Sequence, residues 1–130
     1  MKHPHIEIIV RGFHIDAFGH VNNARYLEFI EEARWAIFSE ALAKLPARKM
    51  SFAIVNININ YRRPALLGQR LHIDAEVVRF GNTSFVIEQK VVDAVNSDII
   101  FADAAVTSVV INAEGKPLRL DEQLRHLLFS

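Results

Sequence analysis

Cysteine is absent from the 130-residue chain. That removes disulfides, thiolate nucleophiles and Cys-ligated metals, leaves stability to packing, and is compatible with a reducing cytosol. No apolar run approaches the roughly 18 residues that a membrane-spanning helix needs. The apolar stretch in the opening MKHPHIEIIVRG is too short and too interrupted by charge for a signal-peptide core. A cytoplasmic protein is the expectation. Charge of one sign is lacking too: fifteen acidic and fifteen basic residues cancel. No whole-molecule field then draws the chain to nucleic acid or an anionic membrane, and neither is an expected partner. Several catalytic templates are missing: GxSxG for serine hydrolases, GxGxxG and the P-loop for nucleotide phosphates, and HExxH for zinc. With no repeat, low-complexity tract or linker, residues 1–130 read as one domain, long enough to bury roughly two-thirds of the surface of the unfolded chain.

What is present is a strand pattern interrupted by one long helix. Residues 5–13, HIEIIVRGF, read as a strand. From about residue 22 to 44 period two gives way to helical spacing, with Leu27, Ile30, Arg34, Ile37 and Ala41 near one face. Glu28, Glu31 and Glu32 leave only a narrow polar stripe, so most of this helix should be covered, and Pro46 closes it. In residues 53–64 Val55, Ile57, Ile59 and Tyr61 alternate with Asn56, Asn58, Asn60 and Arg62, a strand with one buried face. Residues 69–80, 84–95 and 99–112 make three more strands, separated by the turn signals Gly81-Asn82 and Asn96-Ser97-Asp98. Asp121 is placed to cap a last short helix over residues 121–128. The order predicts an α+β hotdog fold: an antiparallel sheet of about five strands wrapped around one long central helix. An open sheet edge in such a fold invites pairing with a second copy, so a homodimer or a dimer of dimers is expected.

Polar chemistry is concentrated in residues 14–26, HIDAFGHVNNARY, between the first strand and the helix. Asp16 precedes a glycine turn that leads into the helix N-terminus. There the first N–H groups lack intrahelical acceptors and the summed peptide dipoles carry roughly half a positive charge. Gly19 offers a backbone without a Cβ, so the N–H groups of Gly19, His20, Val21, Asn22 and Asn23 can receive a developing oxyanion while Asp16 attacks or activates water. An equally available reading is that Asp16 or Asn22 simply caps the helix. The six histidines show no metal-ligand spacing, and no metal is expected. Asn60 with Tyr61 reads as a polar wall near the site. Arg62 and Arg63, at a strand end, are candidates for holding phosphates or are a solvated pair.

Residues 16–27, DAFGHVNNARYL, followed by EEARW at 31–35, resemble the signature of the hotdog-fold acyl-CoA thioesterases related to 4-hydroxybenzoyl-CoA thioesterase. With VNININYRRPA at 55–65, the chain is most similar to the FadM-type long-chain group. The resemblance implies hydrolysis of an acyl-CoA, with a medium to long fatty chain, to free acid and CoA, with no metal and no covalently held cofactor. It implies that Asp16 is the catalytic aspartate, as nucleophile or general base, and that the thioester carbonyl sits at the N-terminus of the central helix. A related subgroup carries histidine where Asn23 stands, so His20 is a binding or orienting candidate rather than the base. Phe18 and Tyr61 are candidate wall residues, and Tyr26 belongs to the same motif.

Three functions compete. A thioesterase requires Asp16 for turnover. A hydratase on the same fold would need an acid and base aimed at the β-carbon, and no second motif supplies that pair. A passive acyl-CoA-binding module would retain ligand with Asp16 dispensable. Aromatic acyl groups, such as 4-hydroxybenzoyl, are an alternative to fatty ones.

Overall fold

The computed structural model describes residues 3–130. Strand β1 (His5–Ile9) leads through a 3-10 turn at Gly12–His14 to α1 (Asn23–Ile37) and α2 (Ser39–Lys44). A second 3-10 turn, Pro46–Arg48, precedes β2 (Ser51–Tyr61), β3 (Arg70–Asp74), β4 (Glu76–Phe80), β5 (Ser84–Asp93), β6 (Ile100–Ile111) and α3 (Glu122–Phe129). The strands form one antiparallel sheet in the order β1-β3-β5-β6-β2, with β4 also paired to β5.

Six strands stand where about five were expected because segment 69–80 divides at Ala75. Ile73 faces Val91 and Glu76 faces Glu88, three residues further along each chain, so the register itself is unbroken. Only the ladder is interrupted: Asp74 Oδ1 accepts the Lys90 N–H at 2.6 Å, where a backbone carbonyl would otherwise serve. Asp74 is buried, and desolvation pushes its carboxyl above the usual range.

Helix α1 begins at its cap, Asn22, and buries Tyr26, Phe29, Ile30 and Ala33, the i, i+3, i+4, i+7 positions of one face. That face lies over β1, β3 and β5, one side of the sheet. The expectation that most of the helix is covered fails within a single chain, since Leu27 is 37% and Trp35 62% exposed. The expected single helix also breaks at Phe38, where α2 turns to pack on α3; Ala41, Leu45 and Leu128 form a small second core there.

The alternation in β2 is interrupted at Val55. Ile54 pairs with Ser108 and Asn56 with Thr107, so Val55 is an extra residue, a bulge in the strand. Ile54 therefore joins Ile57, Ile59 and Tyr61 on the helix-facing side, across from Ser108, Val106, Ala104 and Ala102 of β6. Val55 leaves that row. The strand pairs only with β6, and none of its eleven residues is buried, so its apolar face is not covered as the pattern implied.

Candidate functional site

The polar loop is a small hairpin held by its own backbone. The Val10 N–H donates to the Gln69 carbonyl and the Gly68 N–H to the Val10 carbonyl, which carries pairing past the end of β1. In the following 3-10 turn the buried His14 accepts the Arg11 N–H at Nδ1 (2.8 Å), leaving the ring proton on Nε2. Burial holds this imidazole below its ordinary pKa and so keeps it neutral. Ile15 and Val21 bridge, the Asp16 N–H donates to the His20 carbonyl, and the Gly19 N–H closes a turn on the Asp16 carbonyl (3.1 Å). Gly19 has φ +81°, a left-handed conformation that explains glycine at this corner.

Asp16 caps this turn and not the helix. Its Oδ1 accepts the N–H groups of Phe18 (2.9 Å) and His20 (3.3 Å). Asn22 is the helix cap, its Oδ1 accepting from the Ala24 N–H at 2.9 Å. The Asp16 side chain is thus oriented by two backbone donors, and Oδ2 accepts no hydrogen bond from the described residues. The carboxylate is half-buried.

The expected row of free N–H donors narrows sharply. Gly19 donates to the Asp16 carbonyl, His20 to Asp16 Oδ1, Val21 to the Ala65 carbonyl and Asn22 to the His14 carbonyl. Asn23, the first residue of α1, is the member of the set whose N–H has no acceptor among the described residues. It is also the one at the positive end of the helix dipole.

Phe18, at the tip of the turn, is 84% exposed, and the His20 side chain is exposed without a partner among the described residues. Tyr61 reaches the same place, donating from its hydroxyl to the Asn23 carbonyl at 3.3 Å and meeting the Tyr26 ring edge-on. Val21 and Tyr26 are pillars, each 2% exposed. The Tyr26 hydroxyl accepts the Ala65 N–H at 3.0 Å, which ties α1 to the segment between β2 and β3.

Asn60 and Arg62 do not join them. Asn60 faces Asp103 of β6 on the outer side of the sheet and donates to its Oδ1, while Arg62 Nε donates to Oδ2 at 2.8 Å. The pairing holds the Asp103 carboxyl below its usual range. Arg63 is exposed, and its side chain has no partner among the described residues.

A cleft of about 480 Å3 opens on the sheet side that α1 leaves bare. Trp35 and Phe38 of α1 and its end, Leu42 of α2, Phe52 and Ile54 of β2 and Phe85 of β5 line it, together with Arg34. Arg34 and Gln89 are the polar pair that the sequence reading missed: Arg34 Nη1 donates to Gln89 Oε1 at 3.0 Å, across 55 positions of sequence. The available signal was an arginine on an otherwise apolar helix face.

Comparison with known proteins places this geometry among relatives. Residues 18–100 match the sequence profile described as "Thioesterase superfamily". The long-chain acyl-CoA thioesterase FadM of Escherichia coli is 42% identical over 125 residues, 94% of each chain. The acyl-CoA thioester hydrolase YbgC of Escherichia coli is 31% identical over 97 residues, 72% of each. The crystal structure of YbaW, a probable thioesterase from Escherichia coli, superposes with a TM-score of 0.87 at 40% identity, over 97% of this chain and 96% of that one.

Proposed function

Since the chain belongs to the thioesterase superfamily, we propose that it hydrolyses fatty acyl-CoA, one water being consumed to give the free acid and CoA leaving as the thiol. One observation carries this reading: Asp16, oriented by two N–H groups through Oδ1, keeps Oδ2 unpartnered in the loop that delivers the free Asn23 N–H at the start of α1. The carbonyl oxygen, becoming negative, accepts from Asn23 at the helix dipole's positive end. Asp16 Oδ2 supplies either the nucleophile or the base for water, and both routes use the same oxygen. Phe18, His20 and Tyr61 edge the entrance, and Arg63 is the freer cation for the phosphates of CoA because Arg62 is held by Asp103.

A medium to long acyl chain is supported by the apolar cleft and by the activity named for the FadM relative. Neither a metal nor a covalently held cofactor takes part, and coenzyme A enters as part of the substrate. The enzyme acts in the cytoplasm without nucleic acid or membrane as partner; among the described residues no helix is long and apolar enough to cross a bilayer. Residues 1–130 act as one domain in a homodimer that pairs into a dimer of dimers. Strand β2 supplies the dimer contact, because an unpaired edge with an uncovered apolar face is what a second copy would bury.

The test is thiol release from acyl-CoAs of increasing length and from benzoyl-CoA, by the parent and by Asp16→Asn. The variant should lose roughly 10²- to 10⁴-fold in rate. It should also melt within a few degrees of the parent, since the amide oxygen still accepts from Phe18 and His20. Equal rates in both proteins would remove Asp16 from the chemistry. Binding without turnover by the parent would favour the passive module.

A further inference from the structure

The cleft beside β2 is apolar over most of its wall, with a guanidinium standing in it. Arg34 is half-buried, and among the described residues only Nη1 has a partner, Gln89 Oε1. Gln89 cannot turn away: it is 1% exposed, and its Nε2 donates to the carbonyls of Ile30 (2.9 Å) and Asp74 (3.1 Å). The fixed amide oxygen holds Arg34 in place. No carboxylate lies within 4.0 Å of Arg34 among the described residues, and its Nε and Nη2 make no hydrogen bond there. Ser108 adds a hydroxyl to the same wall, spent only on a long 3.4 Å bond to the Ala53 carbonyl.

Such an arrangement is costly for a purely hydrocarbon occupant. A guanidinium stays charged in any protein site, and N–H donors covered by alkyl chain lose their water without replacement. Strand β2 spans the distance between the two places: it presents Tyr61 at the start of α1 and Ile54 in the cleft, with Ile59 and Ile57 between them on the same side. Arg34 comes about three turns after Asn23, roughly 16 Å along the axis, and its side chain leans back toward the N-terminus. An acyl chain with its carbonyl at Asn23 therefore passes Arg34 well beyond its β-carbon.

Resting on the thioesterase reading above, we propose that Arg34, with Ser108, selects acyl chains that carry an acceptor oxygen remote from the thioester, so that the preferred substrates are oxygenated fatty acyl-CoAs. Arg34 is a specificity-determining residue, and Gln89 positions it.

The experiment compares kcat/KM for hexadecanoyl-CoA, its β-hydroxy derivative, a mid-chain hydroxy derivative and the mono-CoA ester of hexadecanedioic acid. The parent should favour the mid-chain hydroxy or the dicarboxylic substrate about tenfold over the plain chain, the size of one charged hydrogen bond. The β-hydroxy substrate should gain nothing. A neutral acceptor and an anion are told apart by which of the two favoured arms responds more. In Arg34→Met the preference should collapse to about one. Should that variant not fold, the ratio in the parent still decides the matter. Equal rates across the set in the parent, or a preference unchanged in Arg34→Met, would overturn the proposal. Absence of all turnover would instead defeat the thioesterase reading. Calorimetric binding of free hexadecanoic and mid-chain hydroxyhexadecanoic acids then decides the inference, equal affinities overturning it and tighter binding of the hydroxy acid supporting it.

Discussion

At the start of α1, four successive N–H groups, those of Gly19, His20, Val21 and Asn22, end on acceptors supplied by residues 14–65 of the same chain. Along β2, eleven successive residues include none that is buried, and Ile54, Val55 and Ile57 lie 36–58% exposed. The first region is finished within one chain. The second is left open to be finished by something else, a substrate, a second copy or both. A reacting carboxylate must be held to within fractions of an ångström, and short backbone hydrogen bonds do that. An apolar envelope needs only shape and area, which a partner or ligand can supply.

Removing the tie between α1 and the sheet that both regions share should have the largest effect. Gln89→Leu strips Arg34 of its side-chain partner among the described residues and removes the amide donor that Gln89 supplies to the carbonyls of Ile30 and Asp74. A loss of about 3 kcal/mol in unfolding free energy is expected from denaturant titration. A loss below about 1 kcal/mol would mean that α1 is docked by its apolar face alone. Next comes the open half. Ile57→Asp places a charge on the uncovered face of β2, and an isologous contact feels the change twice. The dissociation constant of the proposed dimer should rise roughly a hundredfold by sedimentation, while the melt of the isolated chain shifts little. An unchanged assembly state would show that β2 is not the contact.

The smallest effect belongs to the finished end and sharpens the contrast through pH. Burial holds His14 below its ordinary pKa, so the folded chain binds that proton less readily than the unfolded chain. Its contribution to stability is whole above about pH 6.5 and is lost as acid drives the proton on toward the lowered folded value. Protonation at Nδ1 would also break the bond from the Arg11 N–H. Melting temperature should therefore fall between pH 7 and 5 more steeply in the parent than in His14→Gln, whose amide oxygen can accept the same N–H. Parallel profiles would assign the acid sensitivity elsewhere.

Several features were legible in the sequence. Alternation and turn residues located the strands, and the Asp121 cap on Leu124 is as expected. The dense run at residues 14–26 marked the candidate site. Less legible were its internal assignments. Asp and Asn are equally good caps and turn formers, so sequence left open which of Asp16 and Asn22 served the helix; the answer depends on a turn that bends Asp16 back onto Phe18 and His20. The bulge at Val55 carries no local signal, because inserting one residue keeps the composition and changes only the parity. The division at Ala75 likewise depends on Asp74 finding Lys90, sixteen positions away. Asn60 and Arg62 alternate correctly yet face the outer side, where Asp103 takes both.

By itself, the sequence determined the classes of element, their order, the family signature and the stretch where polar residues gather. Those properties are written in nearest-neighbour patterns: side-chain period, capping residues and turn residues act within a few positions of where they stand. Only the tertiary structure decided which N–H stays free at the helix start, which edge strand keeps an uncovered apolar face, and that Arg34 stands in an apolar cleft held by Gln89. The second and third depend on partners tens of residues away, and the first in part, through the bond from Val21 to Ala65. Hydrogen-bond saturation and burial are settled only when distant segments meet, and no local pattern carries that information.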